Sequence, residues 1–151
     1  MSIYDMASAD SALRQLLEDA LRAVGATEGS ILLLSEDGKR LRFVVSHSPV
    51  ADRLLGHEQD IEQGLTGLSV RSRRPVMAND VEHEKAFDPS VDMRTGGTTR
   101  SIMAVPLLIA ARCLGALTAV NAAAPGGFSQ ADLEQCARFG ARIAEHLGSL
   151  G

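Results

Sequence analysis

The sequence predicts an α+β domain in which an antiparallel sheet is accompanied by an amphipathic helix near each end of the chain. Apolar residues recur at helical spacing over 9–24 and again over 129–147, and between them lie two pairs of short apolar runs, each pair joined by a turn candidate. There is no internal repeat, low-complexity stretch or interdomain linker, so the 151 residues read as a single domain, 1–151, long enough to bury a core without disulfides or a metal.

In the first helix, Ala9, Leu13, Leu16, Leu17, Ala20, Leu21 and Val24 fall on one stripe, with Ser8 or Asp10 as the cap and Gly25 as the stop. The runs 30–35 and 41–46 flank Glu36-Asp-Gly-Lys39 and predict a hairpin. Strict alternation sets Leu41, Phe43, Val45 and His47 on one face of its second strand and Arg40, Arg42, Val44 and Ser46 on the other. Residues 49–63 are weakly patterned, with a short helix over 50–55 at most. Gly64 to Arg74 reads as a glycine-bounded turn into a short helix, and Pro75-Val-Met-Ala78 as a brief edge strand, since proline cannot donate to a ladder. Residues 81–100 lack periodicity; a loop of that length inside a compact domain points to a lid. The runs 101–109 and 113–121 predict a central hairpin buried on both faces, and Ser129 with Asp132 opens the last helix as a variant capping box.

Charge and composition exclude several classes. A net charge of -4 gives no electrostatic reason for nucleic-acid binding, and Arg71, Arg73 and Arg74 are too few to form a phosphate-tracking stripe and read as surface. No apolar run approaches the ~20 residues of a membrane span. Cys113 and Cys136 make no disulfide framework and the N-terminus carries no signal-peptide pattern, so a cytoplasmic location is expected.

From Gly64 onward the order Gly64-Leu-Thr-Gly67, Arg74-Pro-Val76, Asn79-Asp80, Arg100-Ser-Ile-Met-Ala-Val-Pro106, Leu114-Gly-Ala-Leu117, Val120-Asn121 and Phe128-Ser-Gln-Ala-Asp-Leu133 resembles the GAF family of sensory and regulatory domains. The resemblance covers nearly the whole chain. It implies a profilin-like antiparallel sheet of five or six strands, with the N- and C-terminal helices on one face and a ligand pocket under short helices and loops on the other. It further implies a small-molecule sensor in signal transduction, of unknown ligand and cofactor, and not an enzyme.

Within that resemblance, Asn121, Phe128 and Asp132 match part of the signature of cyclic-nucleotide-binding members, but Ala122 and Leu133 stand where Lys and Glu are expected, so the associated ion pair cannot form. Free methionine sulfoxide reductases, also stand-alone GAF domains, need pocket thiols. Here neither Cys113, at a strand start, nor Cys136, on the apolar stripe of the last helix, is placed for that, and the same argument removes covalent bilin attachment. Haem needs an apolar cavity and an axial histidine, for which His47 and His83 are the candidates; the plain alternative is a solvated imidazole. Glu82-His-Glu84 with Asp80, Asp88 and Asp92 fits no strong metal template, and no metal site is expected.

The expected ligand-binding residues are Phe43, Leu65, Asn79, Asp80, Phe87, Met93, Thr98, Thr99, Ser101 and Met103, a mostly apolar set with a few orienting polar groups. Arg94 and Arg100 can pair either an anionic ligand or Glu82 and Asp92. A second expectation is assembly, with helices 9–24 and 129–147 pairing across a twofold axis in a homodimer, either alongside sensing or, in a degenerate domain with a filled cavity, instead of it.

Overall fold

A computed structural model describes residues 2–89 and 98–150. The elements in chain order are α1 (Ile3–Ala9), α2 (Ser11–Val24), β1 (Ala26–Leu34), β2 (Arg40–His47), α3 (Ala51–Leu54), β3 (Glu58–Asp60), α4 (Gly64–Ser72), β4 (Val76–Ala78), β5 (Ile102–Ile109), β6 (Arg112–Ala122) and α5 (Gln130–Leu150), with a 3-10 turn at Val81–His83. The six strands form one antiparallel sheet in the order β3-β2-β1-β6-β5-β4. The brief strand after Pro75 therefore does lie at an edge, and β1 and β6 occupy the centre.

The N-terminal helical stripe is one helix, α2, preceded by an unforeseen short one. Asp10 is the hinge between them: it ends α1 and caps α2, accepting from the Leu13 N–H at 2.8 Å. Ser8, the other cap candidate, instead donates its hydroxyl to the Val44 carbonyl at 2.8 Å, which docks α1 on the sheet. At the far end of the chain the capping box closes reciprocally, with the Ser129 N–H on Asp132 at 2.8 Å and the Asp132 N–H on Ser129 Oγ at 3.1 Å.

The sheet is buried on both faces. On one, α2 and α5 pack together over Ile31, Leu33, Val44, Val45, Met103, Val105, Leu107, Leu117 and Ala119. This is the larger core, and Leu13, Leu17, Cys136 and Ile143 are fully buried in it. On the other face lie two smaller clusters: Leu32, Leu41, Phe43, Leu54, Val70 and Ala116, and separately Leu65, Ala78, Val81 and Ile102. Burying a Leu or Ile side chain contributes roughly 1.5–3 kcal/mol, so the helix-covered face carries most of the stability.

Strict alternation fails in β2. The register runs Leu32 to Phe43 but Ile31 to Val45, so Val44 is an extra residue in a bulge. Past it the faces exchange: Val45 joins Val44 in the helix-side core, Ser46 turns to the opposite face beside Ser30, and His47 is exposed. The expectation that Val45 and His47 share a face with Phe43 is thus overturned by one inserted residue.

Candidate functional site

Ser30 pairs with Ser46 on one side and with Thr118 on the other. These three hydroxyl residues form a polar row across the middle of the sheet, on the face away from α2 and α5. Hydroxyls cannot join an apolar cluster without partners, and the row coincides with the gap between the two smaller clusters. In that gap is a cavity of about 100 Å³, floored by Ser30, Thr118 and Val120 and walled by Phe43, Leu54 and Leu65.

Local chain chemistry positions the wall. Gly64 enters α4 with φ +67, a left-handed conformation that glycine adopts without strain. Gly67 brings α4 against the preceding segment so closely that a Cβ there would collide with the Ile61 carbonyl. The pair Gly64 and Gly67 thereby presses Leu65 and Thr66 toward the sheet, and both are buried and line the cavity. Gln59, also buried, enters from β3 and is anchored by its side-chain N–H donating to the Gln63 carbonyl at 3.1 Å.

Ser30 and Ser46 share a hydrogen bond of 2.6 Å. The side-chain hydroxyls of Thr118 and Thr66, on residues only 5% and 8% exposed, line the cavity, and no buried side-chain nitrogen or oxygen among the described residues lacks a hydrogen-bond partner. Two carboxylates, Glu28 and Asp88, stand in the lining, and no Lys or Arg does among the described residues. Glu28 accepts from Asn121 Nδ2 at 3.3 Å.

Of the residues expected at the site, the structure brings Phe43, Leu65, Phe87, Thr98 and Thr99 into the lining. It places the others elsewhere. Met103 is fully buried on the α2/α5 face, because β5 alternates and its neighbours Ile102 and Ala104 take the opposite side. Asn79 clips the connection before α5, its Oδ1 accepting from the Phe128 N–H and its Nδ2 donating to the Phe128 carbonyl, both at 2.8 Å. Ser101 Oγ accepts from the Ala122 N–H at 3.0 Å. Asp80 is exposed, with its carboxylate 2.8 Å from His83 Nδ1, an interaction that raises the imidazole pKa. Met93 lies outside the described residues, as do Asp92 and Arg94.

Five lining residues carry no signal in simple patterning: Glu28, Ser30, Gln59, Thr66 and Thr118. The clue available is a hydroxyl inside a strand that otherwise reads as wholly apolar, as at Thr118. The acidic loop brings Asp80, Glu82 and His83 within reach of one another, all exposed. His47 and His83, the axial candidates for haem, are both exposed and neither lines the cavity.

The two thiols lie apart. Cys136 is in the helix-side core, where burial pushes its pKa up to about 12. Cys113 packs at the edge of the opposite face and its thiol is also pushed up, chiefly by burial. Neither touches the cavity.

Fold and cavity together define an α+β domain with a small cavity on the sheet face opposite its terminal helices. The GAF domain model matches residues 6–147, and the chain belongs to the GAF domain family. It is 25% identical over 118 residues to the alpha' subunit of the cone cGMP-specific 3',5'-cyclic phosphodiesterase of Mus musculus, which covers 76% of this chain but 14% of that much longer protein. Among solved structures it is similar to the GAF domain of an Acinetobacter phosphoenolpyruvate-protein phosphotransferase, with a TM-score of 0.74 at 20% identity, covering 99% of this chain and 84% of that one. It is also similar to the type II free methionine-R-sulfoxide reductase of Thermoplasma acidophilum, with a TM-score of 0.77 at 15% identity, covering 99% and 97%. At these identities the structural likenesses establish the fold. No described helix is long and apolar enough to cross a membrane.

Proposed function

We propose that this domain is a ligand-responsive regulatory module of signal transduction whose small-molecule ligand seats in the cavity between α4 and the polar row of the sheet. One observation carries the reading: the gap between the two smaller clusters is a cavity of about 100 Å³ bordered by Ser30, Thr66 and Thr118, a mostly apolar space with a few polar groups to orient a ligand. A filled, degenerate core would have neither that space nor a row of hydroxyls facing it.

A route from the cavity to the terminal helices supports a regulatory role. Thr98 lines the cavity and its carbonyl accepts from Asn121 Nδ2 at 2.8 Å, while Asn121 Oδ1 accepts from the Arg100 N–H at 2.7 Å. Asn121 is the penultimate residue of β6, and the connection 123–129 leads from the strand to α5. Occupancy at Thr98 and Glu28 therefore bears on the start of the helix that packs against α2. The relatives named for signalling proteins are consistent with such a role. The elevated thiol pKa values and the placement of both cysteines outside the cavity favour binding over thiol redox chemistry. The large exposed apolar residues, Ile3, Leu55 and Ile109, all lie off α2 and α5, so a homodimer through those helices would rest on polar outer faces.

Native mass spectrometry tests the reading. The folded chain, incubated with a small-molecule extract of cells, is expected to take up a discrete mass that a Thr118→Leu variant, whose cavity is filled, does not. Uptake of no mass by the wild-type chain, or equal uptake by the filled variant, would refute it.

A further inference from the structure

The composition of the cavity defines more than its existence. Among the described residues its lining contains acceptors (the Glu28 carboxylate and the hydroxyls of Ser30, Thr66 and Thr118) and no Lys or Arg. Glu28 takes one hydrogen bond, from the neutral amide of Asn121, and forms no ion pair with any described residue. A carboxylate held at the mouth of an apolar cavity by a neutral donor creates a negative potential there, strengthened by the low dielectric of the walls. Phe43 and Phe87 line the same space, and aromatic faces attract cations. At about 100 Å³ the space is well below the roughly 300–1,000 Å³ of sites that enclose drug-sized molecules.

Resting on the cavity reading above, we infer that the ligand is a small organic amine bound as its ammonium ion. Its charged end is placed at Glu28 with Thr118 as a neighbouring acceptor, and its compact apolar body against Phe43, Leu54 and Leu65. Three observations converge on this class. The Glu28 carboxylate in the lining disfavours a phosphate or carboxylate anion, since like charges in a confined site repel. The volume disfavours a cyclic nucleotide, as does the absence of Lys and Arg from the lining among the described residues. The hydroxyl-bearing residues in the lining, Ser30, Thr66 and Thr118, favour a ligand with a hydrogen-bonding head over a pure hydrocarbon.

The test uses three probes of one shape and different charge, isobutylammonium, isobutanol and isobutyrate, titrated into the full chain and followed by backbone amide chemical shifts. Isobutylammonium is expected to move the amides of Glu28, Ser30 and Thr118 saturably and to bind about tenfold more tightly than isobutanol, the usual advantage of a charge-assisted hydrogen bond. Isobutyrate is expected not to saturate. In a Glu28→Gln variant the preference for the amine over the alcohol should vanish. Equal binding of amine and alcohol, or tighter binding of isobutyrate, overturns the amine assignment and leaves the cavity as a binding site. If none of the three probes moves those amides, both the assignment and the cavity reading fail. Because the three-probe comparison is made on the wild-type chain, it decides the question even if the variant does not fold.

Discussion

Replacing Asn121 by alanine should destabilise the domain by about 3–6 kcal/mol. The residue is buried, 5% exposed, with φ of 59°, and its side chain makes four hydrogen bonds. Two are accepted by Oδ1, from the Arg100 N–H at 2.7 Å and the Ser101 N–H at 3.3 Å. Two are donated by Nδ2, to the Thr98 carbonyl at 2.8 Å and to Glu28 at 3.3 Å. Ser101 is buried, so its orphaned N–H costs about 1–3 kcal/mol, and the shorter bond to Arg100 adds about 1 kcal/mol. Alanine in a left-handed conformation adds about 1–2 kcal/mol, a conformation that asparagine tolerates. Against a typical total of about 5–15 kcal/mol this is a large fraction. Urea unfolding followed by far-ultraviolet circular dichroism measures it, since the chain has no Trp. Asn121→Gly separates the two contributions: it relieves the backbone strain and keeps the lost hydrogen bonds, so it should recover about 1 kcal/mol relative to alanine. A cost below 1 kcal/mol for Asn121→Ala, or no difference between alanine and glycine, would refute the accounting.

Two further outcomes follow from ionisable groups. The Leu13 N–H, and after it the contact with His146 at 3.0 Å, hold the Asp10 carboxyl below its ordinary value of 3.8. Its contribution is therefore complete above that value and lost as the pH falls through the lower folded one. Asp10→Ala should cost about 1 kcal/mol at neutral pH, as loss of a helix cap does, and the gap from wild type in urea midpoints should close only below about pH 3.8. A gap that persists unchanged in acid would show that the carboxylate is not its source. Cys136, with its thiol pushed up to about 12, should resist iodoacetamide at mildly alkaline pH until denaturant is added, while half-buried Cys113 reacts slowly in the folded chain. Peptide mapping by mass spectrometry reads both, and rapid alkylation of Cys136 under native conditions would contradict its burial.

The framework was legible because periodicity reports burial directly. Leu13, Leu17 and Leu21 lie four residues apart in turn, and every one is in the helix-side core. Cavity residues were legible only where they belonged to an element with a clear inward face or to the long loop, as with Phe43, Leu65, Thr98 and Thr99. Met103 shows the limit. In a strand buried on both faces, hydropathy does not say which side a residue takes, and only the register with β4 and β6 assigns it to the helix side. Val44 shows another: a bulge inserts one residue with no compositional mark and reverses the faces of everything beyond it. Thr118 was passed over because a hydroxyl in Leu117-Thr-Ala119 is compatible with a strand interior, and its place in a polar row becomes visible only once Ser30 is known to lie opposite.

The connection from β6 to α5 ties these observations together. Cyclic-nucleotide-binding members of the family carry Lys and Glu at the positions occupied here by Ala122 and Leu133, and Leu133 instead enters the helix-side core. The connection is held by uncharged hydrogen bonds at three points: Asn79 on both backbone groups of Phe128, Ser101 Oγ on the Ala122 N–H, and Asn121 on Thr98, Arg100 and Ser101. Asn79 precedes the long segment and Ser101 follows it, so both ends of that segment are fastened to the stretch of chain that begins α5. Neutral, short-range bonds of this kind are little affected by ionic strength. Any displacement of Thr98 would thus be passed toward the start of α5 through partners that salt does not loosen.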